Sequence, residues 1–323
     1  MELRVKRFES GIDNGVWDDF VASAMNATFL FKRSFMDYHK DRFQDHSVMV
    51  FDEKDALLAC LPANQKGTDE VVSHQGLTYG GFMMKKEAKL PVQMEVFKSV
   101  LRYYHEAGVK QLTYKHFPRF YNTFQTDEIE YCLFLAGASL FRRDTAIAVD
   151  YHCRIPYAGN IRREARKAEK NGVMIRESDD FKGFWKQVLE PNLEARFGVK
   201  PVHSLEEISR LKEAFNKEIR LFVAVDTNEQ VLAGTVMFET PTVAHSQYIS
   251  ATDEGRREGA LNLLFIKLLD EYFAEQRFFD FGTANEDGGK SVNPGLLAWK
   301  ERMGGRTYSH DFYRIETQSY QLL

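Results

Sequence analysis

Leu221-Phe222-Val223-Ala224-Val225, Asp226-Thr227-Asn228-Glu229-Gln230, Val231-Leu232-Ala233-Gly234-Thr235-Val236-Met237 reads as strand, turn, strand. Apolar, β-branched runs flank a short polar stretch, which is the pattern of a β-hairpin. The same figure occurs earlier in the chain: Val48-Met49-Val50-Phe51, Asp52-Glu53-Lys54-Asp55, then Ala56-Leu57-Leu58-Ala59-Cys60-Leu61. Asp52 aligns with Asp226 and Ala59 with Ala233, each pair 174 residues apart. The chain reads as a repeat of one unit.

Further along, the order repeats as well. A helix is predicted over 91–107, where Val92, Val96, Val100 and Tyr104 recur at four-residue steps. Its counterpart is predicted over 258–275, with Leu261, Phe265, Leu268, Leu269 and Tyr272 on the apolar face. Strands follow, Gln111-Leu112-Thr113-Tyr114 and Phe278-Phe279-Asp280-Phe281. Each is followed by a helix ending near a glycine, Gly137 or Gly304, and a closing strand, 144–149 or 311–315. The expected fold class is α/β (α+β): two tandem units, 1–152 and 153–323, each a mixed β-sheet flanked by helices.

Three helices are predicted between the hairpins. The first spans 160–171 as a basic linker, with Arg162, Arg166 and Lys170 on one face and Arg163 and Lys167 beside them. The others lie near 181–196 and 205–215, the last opened by Ser204 with Glu207 at the capping-box position.

Composition narrows the function. The chain has 323 residues, 44% hydrophobic and 28% charged, as expected for globular domains. The net charge of −4 disfavours general DNA binding, which needs a basic surface. No apolar run approaches a membrane span and no secretory leader is visible, so no stable membrane insertion is expected. Cys60, Cys132 and Cys153 show no paired spacing, which argues against a disulfide framework or a metal site and fits a cytoplasmic location.

Several segments, in this order, resemble the FemABX-like peptidyltransferases and related GNAT acyltransferases. They are Ser73-His74-Gln75-Gly76-Leu77-Thr78-Tyr79-Gly80-Gly81; Arg162 to Val173; Pro201 to Ile208; Ala244-His245-Ser246-Gln247-Tyr248-Ile249; and Asp280-Phe281-Gly282-Thr283 with Asn293, Gly295-Leu296, Lys300-Glu301 and Gly304-Gly305. The resemblance implies two GNAT-like domains and transfer of an acyl or aminoacyl group to an amine. The amine would sit on a small molecule, a peptide or a sugar, such as a cell-wall or polysaccharide precursor. The donor would be an acyl-CoA or an aminoacyl-tRNA, with no other cofactor required. The first domain would bind the acceptor and the second would be catalytic.

Four residues are candidates for catalysis. The resemblance implies a functional role for Lys300, and a fixed ammonium can stabilise the oxyanion formed when an amine attacks an ester or thioester. Deprotonating the amine needs a base, either a water or one of the candidate side chains His203, His245, Asp280 and Glu286. His245 and Gln247 alternate onto one face of a predicted strand. For substrate binding the candidates are Tyr79, Gly80 and Gly81, His203, Gln247 and Asn293, with Arg163 and Arg166 for phosphates. The segment Arg256-Arg257-Glu258-Gly259-Ala260-Leu261 keeps only an Arg and the first Gly of a GNAT diphosphate loop. Two alternatives therefore stand beside the leading reading: an acetyl-CoA-dependent N-acetyltransferase, and a non-catalytic ligand-binding protein on the same fold.

Overall fold

The computed structural model describes residues 2–323. Both hairpins form, as Val48–Phe51 with Leu57–Leu61 and as Ile219–Val225 with Val231–Glu239. Their turns match in detail. Asp52 Oδ1 accepts the N–H groups of Lys54 and Ala56 at 2.8 Å. Asp226 Oδ1 accepts those of Asn228 and Gln230 at 2.9 and 2.8 Å. A short carboxylate at the first turn position thus satisfies two backbone donors in each hairpin. Asp55 and Glu229 both take positive φ, 60° and 63°, and both ladders shift register at the equivalent step, Val50/Phe51 and Ala224/Val225.

Two compact units result. One comprises Met1–Asp144, Gly288–Lys290 and Ser309–Leu323; the other Thr145–Asp287 and Ser291–Tyr308. The break expected at 152 falls at 144, and residues 309–323 belong with the first unit. The physical reason lies in strand pairing. The strand Arg306–Glu316 places Phe312–Glu316 antiparallel to Gln111–Lys115, so its end completes the first unit's sheet. The strand Ser139–Asp150 pairs its last residues with Phe278–Thr283, so that end completes the second unit's sheet. Each predicted closing strand therefore closes the unit of the other half of the chain.

In the first unit the helix Leu90–Glu106 buries Val96, Val100 and Tyr104 of the predicted stripe, with Phe97 and Leu101 beside them, while Val92 is half-buried. Ile315, from the C-terminal strand, joins this core. In the second unit the strands run in the order Met174–Ser178, Ile219–Val225, Val231–Glu239, Val243–Ala251, Phe278–Thr283 and the end of Ser139–Asp150. All pairings are antiparallel except that of Val243–Ala251 with Phe278–Thr283. Phe265 anchors the helix Ala260–Lys267, its ring 5.9, 5.5 and 5.1 Å from those of Phe279, Phe281 and Trp299. Burying one such ring contributes about 2–3 kcal/mol, so this cluster fixes the helix over the strand.

The helix Gly159–Lys170 is not a free linker. Ile161, Ala165 and Ala168 are buried in the second unit's core, and small alanines permit close approach of a neighbouring helix. A Cβ at Gly259 would stand 2.6 Å from the Glu164 carbonyl oxygen. The helix Leu205–Ala214 begins with the predicted capping box of Ser204 and Glu207. The predicted helix 258–275 is broken at its start: Gly259, at φ 78°, joins Asp253–Glu258 to Ala260–Lys267.

Candidate active site

The site is built where two parallel strands part. Val243–Ala251 and Phe278–Thr283 pair at Val243↔Phe278, Ala244↔Phe279 and His245↔Asp280, and the ladder ends there. Beyond that point Thr283 pairs instead with Ala146 on its other side. On the opposite edge Val243–Ala251 carries a bulge. Tyr248 faces Val236 and Ser246 faces Met237, leaving Gln247 as the extra residue. The two strands form a fork with His245 and Asp280 at its apex.

At that apex His245 Nδ1 lies 2.8 Å from Asp280 Oδ2. Asp280 is 2% exposed, and its Oδ1 accepts the Gly282 N–H at 2.7 Å. An ionised carboxylate only accepts, so Nδ1 carries the ring proton and Nε2 is left with its lone pair. Gly282, at φ 71°, leaves room beside the ring; a Cβ there would lie 3.4 Å from His245 Cε1. The predicted candidates Asp280 and His245 are thus brought together as an acid–imidazole pair.

Lys300 approaches from the helix Pro294–Arg302. It is 2% exposed, and its Nζ donates to the carbonyls of Gly282 and Thr283 at 2.9 and 2.8 Å. Burial lowers its pKa from 10.5 to about 8, opposed by the nearby Asp280 charge. The ammonium clamps one prong of the fork directly after Asp280.

Asn293 caps this helix, its Oδ1 accepting the Leu296 N–H at 3.0 Å. Its Nδ2 donates to Glu286 Oε1 at 3.1 Å. Glu286 is exposed and supports the cap that positions Lys300. Next to Lys300, Trp299 Nε1 donates to Asn262 Oδ1 at 2.9 Å, and Asn262 Nδ2 donates to Glu164 Oε2 at 2.7 Å. These groups escaped the sequence reading, although Asn262 on an apolar helix face was a visible signal.

The remaining candidates have other surroundings. His203 is 4% exposed, and both its backbone N–H and its Nδ1 meet Tyr248 Oη, at 3.0 and 2.6 Å. It fastens its loop to the bulged strand. Gln247 is half-buried and makes no side-chain hydrogen bond among the described residues. Arg163 and Arg166 are exposed on the helix Gly159–Lys170, with no ion pair among the described residues. Tyr79 lies in the first unit, 3% exposed, bonded to Thr28 Oγ1 at 2.9 Å and packed against Phe117 and Tyr121. A Cβ at Gly80 would sit 1.5 Å from the Ser73 carbonyl oxygen, and one at Gly81 2.5 Å from Tyr114 Oη. Close backbone packing therefore accounts for both glycines.

Around the weak diphosphate motif, Thr252 Oγ1 accepts the Gly255 N–H at 2.9 Å. Arg256 is tied to Asp253 at 2.6 Å and to Asn192 at 3.1 Å. Leu261 packs on the core. Among the described residues no group of three or more His, Cys, Asp or Glu could hold a metal ion.

Residues 157–301, which contain the whole fork and Lys300, match the family model described as an acetyltransferase (GNAT) domain. This stretch is thus similar to the GNAT acetyltransferase domains. No curated protein matches the chain. Among solved structures it is similar to FemX, with a TM-score of 0.68 at 13% identity over 100% of both chains. L-PGS from Bacillus licheniformis gives 0.61 at 11% identity, covering 98% of this chain and 96% of that one. A tandem GNAT protein from the clavulanic acid biosynthesis pathway gives 0.52 at 12%, covering 98% and 99%. The chain has a FemX-like GNAT fold, as the order of its elements predicted. No helix among the described residues is long and apolar enough to cross a membrane.

Proposed function

We propose that the protein transfers an acyl or aminoacyl group from an activated ester or thioester to an amine, forming an amide at the fork of the GNAT domain. The observation that carries this reading is the apex itself: an Asp280-oriented imidazole beside a buried ammonium, at the mouth of two parted strands. His245 Nε2 takes the proton of the acceptor ammonium, and Asp280 stabilises the imidazolium that results. The neutral amine then attacks the carbonyl carbon. Lys300 supplies positive charge near the oxyanion, in a dry setting where it is felt strongly. Collapse breaks the bond to the leaving alkoxide or thiolate, which takes up the proton that the newly bonded nitrogen gives up as it becomes an amide.

The unpaired strand edges beyond His245 support a donor with an extended polar arm, which can hydrogen-bond to a free edge as an added strand does. Arg163 and Arg166 have guanidiniums with no ion pair among the described residues, suited to the phosphates that both acyl-CoA and aminoacyl-tRNA carry. The acceptor is read as an amine on a small molecule, peptide or sugar of an envelope or polysaccharide precursor, bound by the first unit. An acetyl-CoA-dependent N-acetyltransferase is the second reading, favoured by the family match.

The test is to incubate the purified protein with acyl-CoAs and with charged tRNAs, in the presence of amine acceptors, and to detect amide products by mass spectrometry. Product from either donor class that disappears in His245→Ala supports the assignment. Turnover with acetyl-CoA alone selects the second reading. Absence of product with both classes leaves a binding protein and overturns the proposal.

A further inference from the structure

In the first unit a cavity of about 120 Å³ lies beside the short helix Arg33–Met36. Arg33, Asp37, His39, Lys40, Phe43 and His74 are among its lining. Arg33 is 3% exposed. Its guanidinium contacts Asp45, lies 3.5 Å from Asp37, reaches Ser47 Oγ at 3.4 Å and is covered by the Phe8 ring at 3.7 Å. Its Nε–H nevertheless has no acceptor among the described residues. A buried charged donor left unpaired is costly, so a ligand oxygen that accepts from it gains more than it would at the surface.

Asp37 presents the complementary pole. It is half-buried, and its carboxylate accepts no hydrogen bond among the described residues. Burial holds its carboxyl above the ordinary value, despite the opposing charge of Arg33. Lys40, exposed and without an ion pair among the described residues, adds a cation at the rim. The walls between the poles are flat and weakly polar. The rings of His39 and His74 stack at 5.2 Å, and Phe43 meets them edge-on at 5.1 and 5.5 Å. Burial and the neighbouring His39, Lys115 and Arg33 keep His74 uncharged.

Arg33 and Lys40 balance Asp37 and Asp45, so a net ion gains little from this cavity. A molecule carrying both charges satisfies both poles. The volume is a little below the roughly 150 Å³ of an engineered cavity that holds benzene, which suits an occupant of about five to seven heavy atoms. We propose that this cavity binds a small α-amino acid as its zwitterion, the carboxylate at Arg33 Nε and Lys40 and the ammonium at Asp37. The assignment does not rest on the transfer reaction.

The test is isothermal titration calorimetry on the full chain with glycine, L-alanine and L-serine. Acetate and ethylammonium serve as one-pole probes at equal ionic strength. Saturable one-to-one binding of an amino acid is expected, with both probes at least about tenfold weaker, as for loss of one charge-assisted contact. Asp37→Asn and Lys40→Met, both at accessible positions, should each weaken binding about tenfold without changing Tm. No heat from any amino acid up to about 10 mM, a weaker affinity than free metabolites require, overturns the proposal. So does acetate binding as tightly as the amino acids, which marks a plain anion site, or unaltered binding in both variants.

Discussion

Lys300→Met is the substitution whose consequences can be worked furthest. Methionine keeps the length and apolar stem and removes the ammonium. The fall of the lysine pKa from 10.5 to about 8 corresponds to roughly 3 kcal/mol held against the charged form in the folded protein. Losing the two bonds to the Gly282 and Thr283 carbonyls costs about 1–3 kcal/mol each. At pH 7 these terms largely offset one another, so the variant folds and its activity can be measured. The sign of the pH dependence follows from proton counts. Between about pH 8 and 10.5 the unfolded lysine keeps its proton and the folded one has lost it, so wild-type stability rises with pH across that window. The variant lacks that rise, and the two stability curves should diverge by up to about 3 kcal/mol. Lys115, also lowered to about 8 by burial, is present in both proteins and cancels in the difference. Urea unfolding at pH 7, 8, 9 and 10 measures it. Amide-forming kcat should fall about 10²–10³-fold if the ammonium steadies an oxyanion. Parallel stability curves would refute the buried ammonium, and undiminished kcat in the folded variant would refute its catalytic role.

Other substitutions probe separate links. Asp280→Asn removes the acceptor that fixes the His245 tautomer; kcat should drop about 10²–10⁴-fold with KM little changed, read from steady-state kinetics. Gly81→Ala places a Cβ 2.5 Å from Tyr114 Oη at φ 92°. A loss of about 1–3 kcal/mol should follow and lower Tm by calorimetry. Ser204→Ala removes the capping box of the helix Leu205–Ala214 and should cost about 1 kcal/mol by the urea midpoint, with turnover retained.

The hairpins were legible in the sequence because their information is local. Asp52 and Asp226 announce their turns by chemistry, and continuous apolar runs announce the flanking strands. The same holds for Ser204 and Glu207, three residues apart. Strand exchange was illegible because the residues of 144–149 and 311–315 carry no mark of which edge they will join. Pairing partners are decided by the assembled sheet. Asp280 and His245 stood out as residue types, but their meeting depends on the parallel register, which neither segment encodes alone. The bulge at Gln247 is a one-residue slip with no composition signal. Tyr79 and His203 were singled out by the family-like segments they sit in; their partners Thr28 and Tyr248 lie 51 and 45 residues away in sequence, too far for a local reading to pair them. Arg33 and Asp37 passed unnoticed within a Phe-rich stretch. Their spacing of four residues, opposite in charge among aromatics, was the available clue.

The exchange of closing strands bears on how the chain is made. Synthesis proceeds from the N-terminus, so residues 1–144 leave the ribosome well before 309–323 exist. Until then the strand Gln111–Lys115 lacks the neighbour that Phe312–Glu316 provides. An unpaired edge over a hydrophobic core is an invitation to pair wrongly. A holding factor, or slow consolidation of the first unit after release, would protect it during that interval. Removing residues 309–323 would make that interval permanent, and a short C-terminal deletion should damage the part of the molecule that was translated first.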